Sequence, residues 1–320
     1  MSQPELPVTF LVIRQTYNFM KIAYLLLAHN NPTHLQRLIS ALSTRSSHFF
    51  IHVDKKSNVD PFQAIKGNNI HFVQERVPVY WGDFSQVEAI LILLRTALAD
   101  RGRFDRLVLL SGADYPLRSA SAIERFFAEN PKREYMNLVA MPSEAAGKSL
   151  SRLTTYKVRP GNPLISKTIQ KVLMMAGLVP RTRDYKTYLG DLAPYAGSTW
   201  WALSREACDF ILHFVTLRTQ VVDFFKNTLC PDESMFQTIL GNSHFKPNIA
   251  RNLTYTDWGA GGASPAGITE EHLALFQATS SFAPDDTYGA GEMLFARKFS
   301  DASADVVARL DRQIAGKEVG

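Results

Sequence analysis

Residues 22–32 read IAYLLLAHNNP, and the reading of this stretch decides the fold. Ile22 to Ala28 is a short, continuous apolar run. It lacks the polar alternation of a strand with one wet face, so it reads as a strand buried on both sides. The polar turn His29-Asn30-Asn31-Pro32 ends it. Asn31 is an N-cap residue type, and Pro32 suits the first helical position, where its missing N–H would have no partner. Leu35, Leu38, Ile39 and Leu42 then keep helical spacing.

The same unit repeats outward from this stretch. Phe49 to Val53 is a second buried run, closing on Asp54-Lys55-Lys56, and Ile70 to Val73 is a third. Asp83 is placed to cap a long helix carrying Phe84, Val87, Leu91, Leu94 and Leu98 on one face. Leu107 to Leu110 is a fourth run, ending at Ser111-Gly112-Ala113-Asp114. A helix around Ala120 to Phe127 and a strand at Met136 to Val139 complete the series. Strands alternating with helices predict an α/β, Rossmann-like fold with a mostly parallel central sheet. Ligands of such sheets sit beyond the carboxyl ends of the strands, so His29, Asp54 and Asp114 are expected near one crevice. Residues 1–19 read poorly as structure and are set aside as an N-terminal extension. Residues 20–300 form one domain, and 301–320 are a helical tail.

The totals narrow the function. In 320 residues, 46% are apolar and 20% charged, an ordinary globular composition. No apolar run approaches the ~20 residues of a bilayer span. Two cysteines, Cys208 and Cys230, exclude a disulfide scaffold and fit a reducing, cytoplasmic compartment. The net charge of +5 favours anionic ligands or surfaces without requiring nucleic acid. Gly-rich phosphate loops, HExxH, CxxC and GxSxG are all absent, which removes support for dinucleotide, P-loop, zinc-protease and serine-hydrolase chemistry. No two aspartates are spaced D-x-D, so the usual acidic clamp for a metal on a nucleotide diphosphate is missing.

Four later stretches carry the remaining signals. Residues 148–186 hold Lys148, Arg152, Lys157, Arg159, Lys167, Lys171, Arg181, Arg183 and Lys186 against one acid, Asp184. Ile165, Ile169, Val172 and Leu173 give that segment an apolar face, so it reads either as a solvated helix docked on the core or as a surface for an anionic membrane. Gly197 to Leu203, GSTWWAL, is a further strand, and Ser204 caps a helix from Arg205 to Phe214. Its paired tryptophans are core residues, or one offers a ring face to a sugar. Leu229 to Leu240, LCPDESMFQTIL, puts Pro231-Asp232-Glu233 at the mouth of an apolar helix. There the carboxylates either complement the helix dipole or supply a fixed general base. Arg297-Lys298 lies between Phe295 and Phe299, where packing can aim it.

Together these pieces resemble a known family. AYLLLAH at 23–29, FFIHVDKKS at 49–57, VYWG at 79–82, LSGADYPLRS at 110–119, GSTWWALSRE at 197–206, CPDESMFQTIL at 230–240 and LFARKF at 294–299 are similar, in order and spacing, to the branching family of glycosyltransferases. That family contains the core-2/I-branching β-1,6-N-acetylglucosaminyltransferases and the peptide O-xylosyltransferases. The resemblance runs from about Met20 to Phe299. It implies a GT-A-type fold, a UDP-sugar donor, inversion at the anomeric carbon and no metal cofactor.

Residue by residue, the resemblance makes Glu233 the catalytic base and Asp54 the reader of the uracil ring. Ala28, His29, Val79, Tyr80 and Trp81 become donor-pocket positions. Thr199, Trp200 and Ser264 match donor-side positions of the xylosyltransferase branch, and Arg297 and Lys298 the diphosphate clamp. Asp114 and Trp201 are assigned to the acceptor side. There are departures. Thr199 stands where the xylosyltransferase branch carries an acid, and Leu275 and its neighbours hold no arginine where the resemblance to the N-acetylglucosaminyltransferases implies a second diphosphate-binding one. The sugar, N-acetylglucosamine or xylose, therefore stays open. The expected role is transfer to a glycan or lipid-linked glycan in surface polysaccharide synthesis, with peripheral contact to the anionic inner membrane face through 148–186. The alternative is a non-catalytic nucleotide-sugar-binding protein on the same fold.

Overall fold

The computed structural model describes residues 20–158, 163–259, 261, 264–277 and 282–318. The expected extension at 1–19 lies outside the described residues.

The chain forms β1 (Ile22–Ala28), β2 (Ser47–Val53), β3 (Ile70–Phe72), β4 (Arg106–Ser111), β5 (Asp114–Pro116), β6 (Glu134–Met136), β7 (Val139–Ala140), β8 (Tyr195–Ala196), β9 (Trp201–Ser204), β10 (Ile249–Ala250), β11 (Thr254–Thr256), β12 (Asp285–Asp286), β13 (Gly289–Ala290) and β14 (Phe295–Arg297). Seven of these make the central sheet, in the order β10-β6-β9-β4-β1-β2-β3. The strands from β4 to β3 are parallel, so the predicted α/β architecture stands. β9 runs antiparallel between β4 and β6. Nothing in the apolar run WWALS distinguishes that direction, because a strand buried on both faces reads the same whichever way it points.

β1 shows why the unbroken run was needed. Ala23 and Leu25 face one apolar cluster with the helix Ser85–Ala99, while Ile22, Tyr24 and Leu26 face a second with the helix Pro32–Leu42. A polar residue on either side would be buried without a partner. The helix Ala304–Glu318 places Val307 and Leu310 in that second cluster. Asp311 accepts from the Tyr115 hydroxyl at 3.0 Å.

Several local expectations are corrected. Pro231–Glu233 is a 3-10 turn, and the α-helix starts only at Met235 and runs to Gly241 with every residue buried. Glu233 therefore sits on the turn before the helix, not in its first turn. Asn31 occupies the N-cap position with φ of 55°, but its side chain makes no cap bond and instead accepts from Asp301 N at 3.4 Å. Asp83 accepts from Ser85 N at 2.9 Å, one residue outside the N-cap Phe84. Ser204 caps its helix as expected, accepting from Ala207 N at 3.1 Å.

Candidate active site

The carboxyl ends of β1, β2 and β4 form the floor. Asp54 N donates to Ala28 O at 2.8 Å and Gly112 N to Leu27 O at 2.8 Å, so the three strand ends are stitched side by side. Asp54 is buried, and its Oδ1 accepts from Lys56 N at 2.9 Å and Val79 N at 3.3 Å. Its Oδ2 pairs with Lys56 Nζ at 3.3 Å. A carboxylate oxygen has two lone pairs, so Asp54 still has acceptor capacity for a ligand N–H. Lys56 also donates to Val79 O and lies 4.1 Å from the Tyr80 ring centre. It thus clips the Val79-Tyr80-Trp81 segment to the end of β2, and Trp81 is left 74% exposed.

β14 brings the expected cationic pair to the same place. His29 shows the convergence: burial pushes its imidazole below the usual range, Asp54 pulls it back, and Lys298, Lys56 and Arg297 push it down again. Lys298 Nζ donates to Ser264 Oγ, and Lys298 O accepts from Ile268 N at 2.8 Å, fixing the loop that follows β11.

Glu233 lies on the other side. Its backbone O accepts from Gly197 N at 2.9 Å. Lys148 Nζ at 2.7 Å and Arg152 Nη1 at 2.6 Å both bind its Oε2. Among the described residues no hydrogen bond reaches Oε1. The turn itself is pinned by Cys230 N, which donates to Gly82 O at 3.0 Å, and by Lys157 Nζ, which donates to the same oxygen at 2.5 Å. Asp232, also buried, accepts from Thr199 Oγ1 at 2.6 Å through Oδ2, while no side-chain or neighbouring donor reaches its Oδ1 among the described residues. Burial, then the charge of Glu233, push the Asp232 carboxyl up to about 6.

A continuous path joins the two sides. Asp232 neighbours Glu233 and binds Thr199; the next residue, Trp200, lies with its ring centre 4.2 Å from the Arg297 guanidinium carbon. Contacts, chain neighbours and electrostatic influence thus connect Ala28, His29, Asp54, Val79, Tyr80, Thr199, Trp200, Ser264, Arg297, Lys298 and Glu233 into one candidate crevice. Asp114 and Trp201 do not fit their expected acceptor-side position. They are 0% and 2% exposed, and neither presents an atom to a large acceptor.

The basic segment divides. Lys148, Arg152 and Lys157 point into the site, and Arg183 donates to Leu153 O, Phe224 O and Thr228 Oγ1. Lys171, Arg181 and Lys186 are exposed; Arg159 and the side chain of Lys167 lie outside the described residues. Reading residue types alone missed the partners of Glu233 because they come from 85 and 81 residues away. The available signal was the Lys148-x-x-x-Arg152 spacing. Among the described residues no group of three His, Cys, Asp or Glu side chains is placed to hold a metal, and both cysteines are free and buried.

Residues 22–276 match the family model described as Core-2/I-Branching enzyme. Xylosyltransferase 1 of Rattus norvegicus is 25% identical over 323 residues, covering 93% of this chain and 36% of its own length. Xylosyltransferase of Ciona intestinalis is 24% identical over 313 residues, covering 93% and 34%. The chain spans about a third of the length of these curated relatives. Among solved structures, the apo form of mouse Xyloside xylosyltransferase 1 aligns over 86% of this chain and 97% of its own at 12% identity, with a TM-score of 0.35. At that score the likeness adds nothing to the functional argument.

Proposed function

The chain belongs to the Core-2/I-branching enzyme family of glycosyltransferases, and we propose that it is an inverting, metal-independent transferase. It would move N-acetylglucosamine or xylose from a UDP-sugar to a hydroxyl of a glycan or lipid-linked glycan, in building a surface polysaccharide on the cytoplasmic side. The observation that supports this best is the path Glu233–Asp232–Thr199–Trp200–Arg297. It links a carboxylate with an open oxygen to a cationic pair.

The chemistry follows from that pairing. The acceptor hydroxyl oxygen attacks the anomeric carbon from the face opposite UDP, and its proton passes to Glu233 Oε1. The bond from that carbon to the β-phosphate oxygen breaks, and UDP leaves with its electron pair. Arg297 and Lys298 stabilise the negative charge that develops there, work that a divalent cation does elsewhere. Asp54 receives the uracil N–H, and the exposed Trp81 borders the donor.

A thermal-shift titration with UDP, UDP-N-acetylglucosamine, UDP-xylose and UDP-glucose, each in EDTA and in manganese, tests the donor site. A ligand that binds only the folded state at a hundredfold excess over its dissociation constant adds about 2.7 kcal/mol. Equal stabilisation in EDTA is expected. Stabilisation that needs manganese would overturn the role given to Arg297 and Lys298.

We also propose a peripheral contact with anionic lipid. Ile169, Val172, Met175 and Leu178 are 43%, 58%, 75% and 73% exposed, beside the exposed Lys171, Arg181 and Lys186. Among the described residues no helix is long and apolar enough to cross a membrane, so such a contact would lie on the surface. The protein should co-sediment with anionic vesicles and lose that on Met175→Asp with Leu178→Asp; unchanged pelleting would sink the idea.

A further inference from the structure

Arg297 is held in a way that its sequence neighbours do not suggest. β14 pairs antiparallel with β5, and the register sets Arg297 directly opposite Asp114. Residues opposite each other in such a pair have Cβ atoms ~5 Å apart on one face, so the sheet itself delivers a carboxylate to the guanidinium. Asp114 Oδ1 is 3.5 Å from Arg297 Nε. The carboxylate cannot swing away, because Ser111 N donates to Oδ2 at 2.9 Å and Ser111 Oγ to Oδ1 at 2.7 Å. Its own backbone oxygen faces His34 Nε2 at 3.0 Å. Trp200 covers the flat face of the guanidinium, a favourable cation–π placement.

We propose that Asp114 and Trp200 are positioning residues for the diphosphate clamp, fixing Arg297 before any donor arrives. This rests on the reading of Arg297 as a diphosphate ligand. The geometry decides which part of the guanidinium is used. Asp114 Oδ1 faces the Nε edge at ion-pair distance, without a hydrogen bond among the described residues, and Trp200 takes one face. The two terminal nitrogens make no hydrogen bond among the described residues, and a planar fork of N–H donors matches phosphate oxygens. An enclosed arginine without a counter-charge would be costly to keep there, and one that had to reorganise on binding would stabilise the leaving diphosphate less.

Two physical accounts predict opposite signs for Asp114→Asn. If Asp114 were only a nearby negative charge, removing it would strengthen phosphate binding by relieving repulsion. If it positions Arg297, removing it weakens phosphate binding although the site becomes more positive. The readout is the ratio of UDP to uridine affinity by calorimetry, because uridine uses the Asp54 side and lacks the phosphates. Asp114→Asn should lower that ratio about tenfold, and Ser111→Ala, which frees one anchor, should lower it by less. Uridine affinity should stay within about twofold in both variants, which also certifies the fold. In an Arg297→Ala background, Asp114→Asn should leave the ratio unchanged within about twofold, because the residue it positions is gone.

The outcomes separate cleanly. A ratio that is unchanged or raised in Asp114→Asn, while Arg297→Ala lowers it, overturns the positioning role and leaves the donor reading intact. A ratio unmoved by Arg297→Ala overturns the donor reading of Arg297 itself. Should Asp114→Asn fail to fold, Ser111→Ala decides alone: a ratio equal to wild type refutes the proposal.

Discussion

The two walls of the crevice solve the same problem with the charges exchanged. On the β14 side a cation, Arg297, is backed by one buried acid, Asp114, whose oxygens are both bound by Ser111. On the opposite side an acid, Glu233, is held by two cations, Lys148 and Arg152, through a single oxygen. In each case a group proposed to work on substrate is fixed by opposite charge and still presents free atoms to the crevice. The difference lies in where the support comes from. Asp114 and Arg297 meet through strand register, whereas Lys148 and Arg152 reach Glu233 from the segment after β7, Arg152 from the short helix Ser151–Thr154. The first support is rigid by construction. The second rests on local backbone bonds, Ser143 and Lys148 donating to each other's oxygens at 2.9 and 2.8 Å.

The largest expected effect breaks the comparison outright. Glu233→Gln keeps the shape of the side chain and removes the base. Turnover should fall by about a thousandfold, within the range attributed to general bases, while UDP binding in the thermal-shift assay stays as in wild type. A variant that still turns over would show that Glu233 is not the base. A wild type that binds UDP-sugars and turns over nothing would favour the non-catalytic alternative.

Next is Asp232, the acid behind Glu233. Asp114 and Asp232 are both buried acids, but Asp114 has an ion-paired cation, whereas the strongest partner of Asp232 is the Thr199 hydroxyl. Its carboxyl, pushed up to about 6 by burial and by Glu233, binds a proton more tightly in the folded chain than in the unfolded one. Between pH ~4 and ~6 the folded state therefore holds more protons, and stability falls as pH rises. The fall amounts to up to about 3 kcal/mol above pH 6. Asp232→Asn should remove that fall, leaving the variant more stable than wild type at pH 7 and close to it at pH 4. Urea unfolding from pH 4 to 8 checks this. Parallel curves for the two proteins would mean that Asp232 does not titrate in this window.

These residues also show what the sequence makes legible. β1 and β4 were readable because each carries an unbroken apolar run and stops at a polar residue, whereas β10, only Ile249–Ala250, carries no such run and was not expected. That His29 and Asp54 lie together was readable, because each follows the end of one of two neighbouring parallel strands. The glycosyltransferase motifs marked Glu233, Arg297 and Lys298. What could not be read is contact between distant segments. Asp114 is a polar residue at a strand end just like Asp54, yet β14 pairs with β5 and seals it. Lys148 and Arg152 looked like part of a basic surface, because composition reports charge and not direction. That Pro231–Glu233 forms a 3-10 turn before the helix could not be read, since Pro-Asp-Glu suits either a 3-10 or a first α-helical turn, and Ser234 breaks the helical path with φ of −142°.

The smallest effect bears most directly on the contrast between the walls. If Lys148 and Arg152 only neutralise Glu233, either cation alone should suffice, and Lys148→Met and Arg152→Met should each leave turnover near wild type. If they aim the carboxylate, each loss frees Oε2 to rotate, and Oε1 no longer points where an acceptor hydroxyl arrives. Each variant should then lose about tenfold in kcat, with the UDP-to-uridine affinity ratio unchanged, because that ratio belongs to the Arg297 wall. Arg152→Lys, which keeps the charge and loses the planar fork, is the sharper case. An aiming role leaves it nearly as impaired as Arg152→Met, whereas neutralisation alone restores it. Steady-state kinetics on these variants therefore tells whether the base wall is held by geometry, as β14 is, or by charge alone.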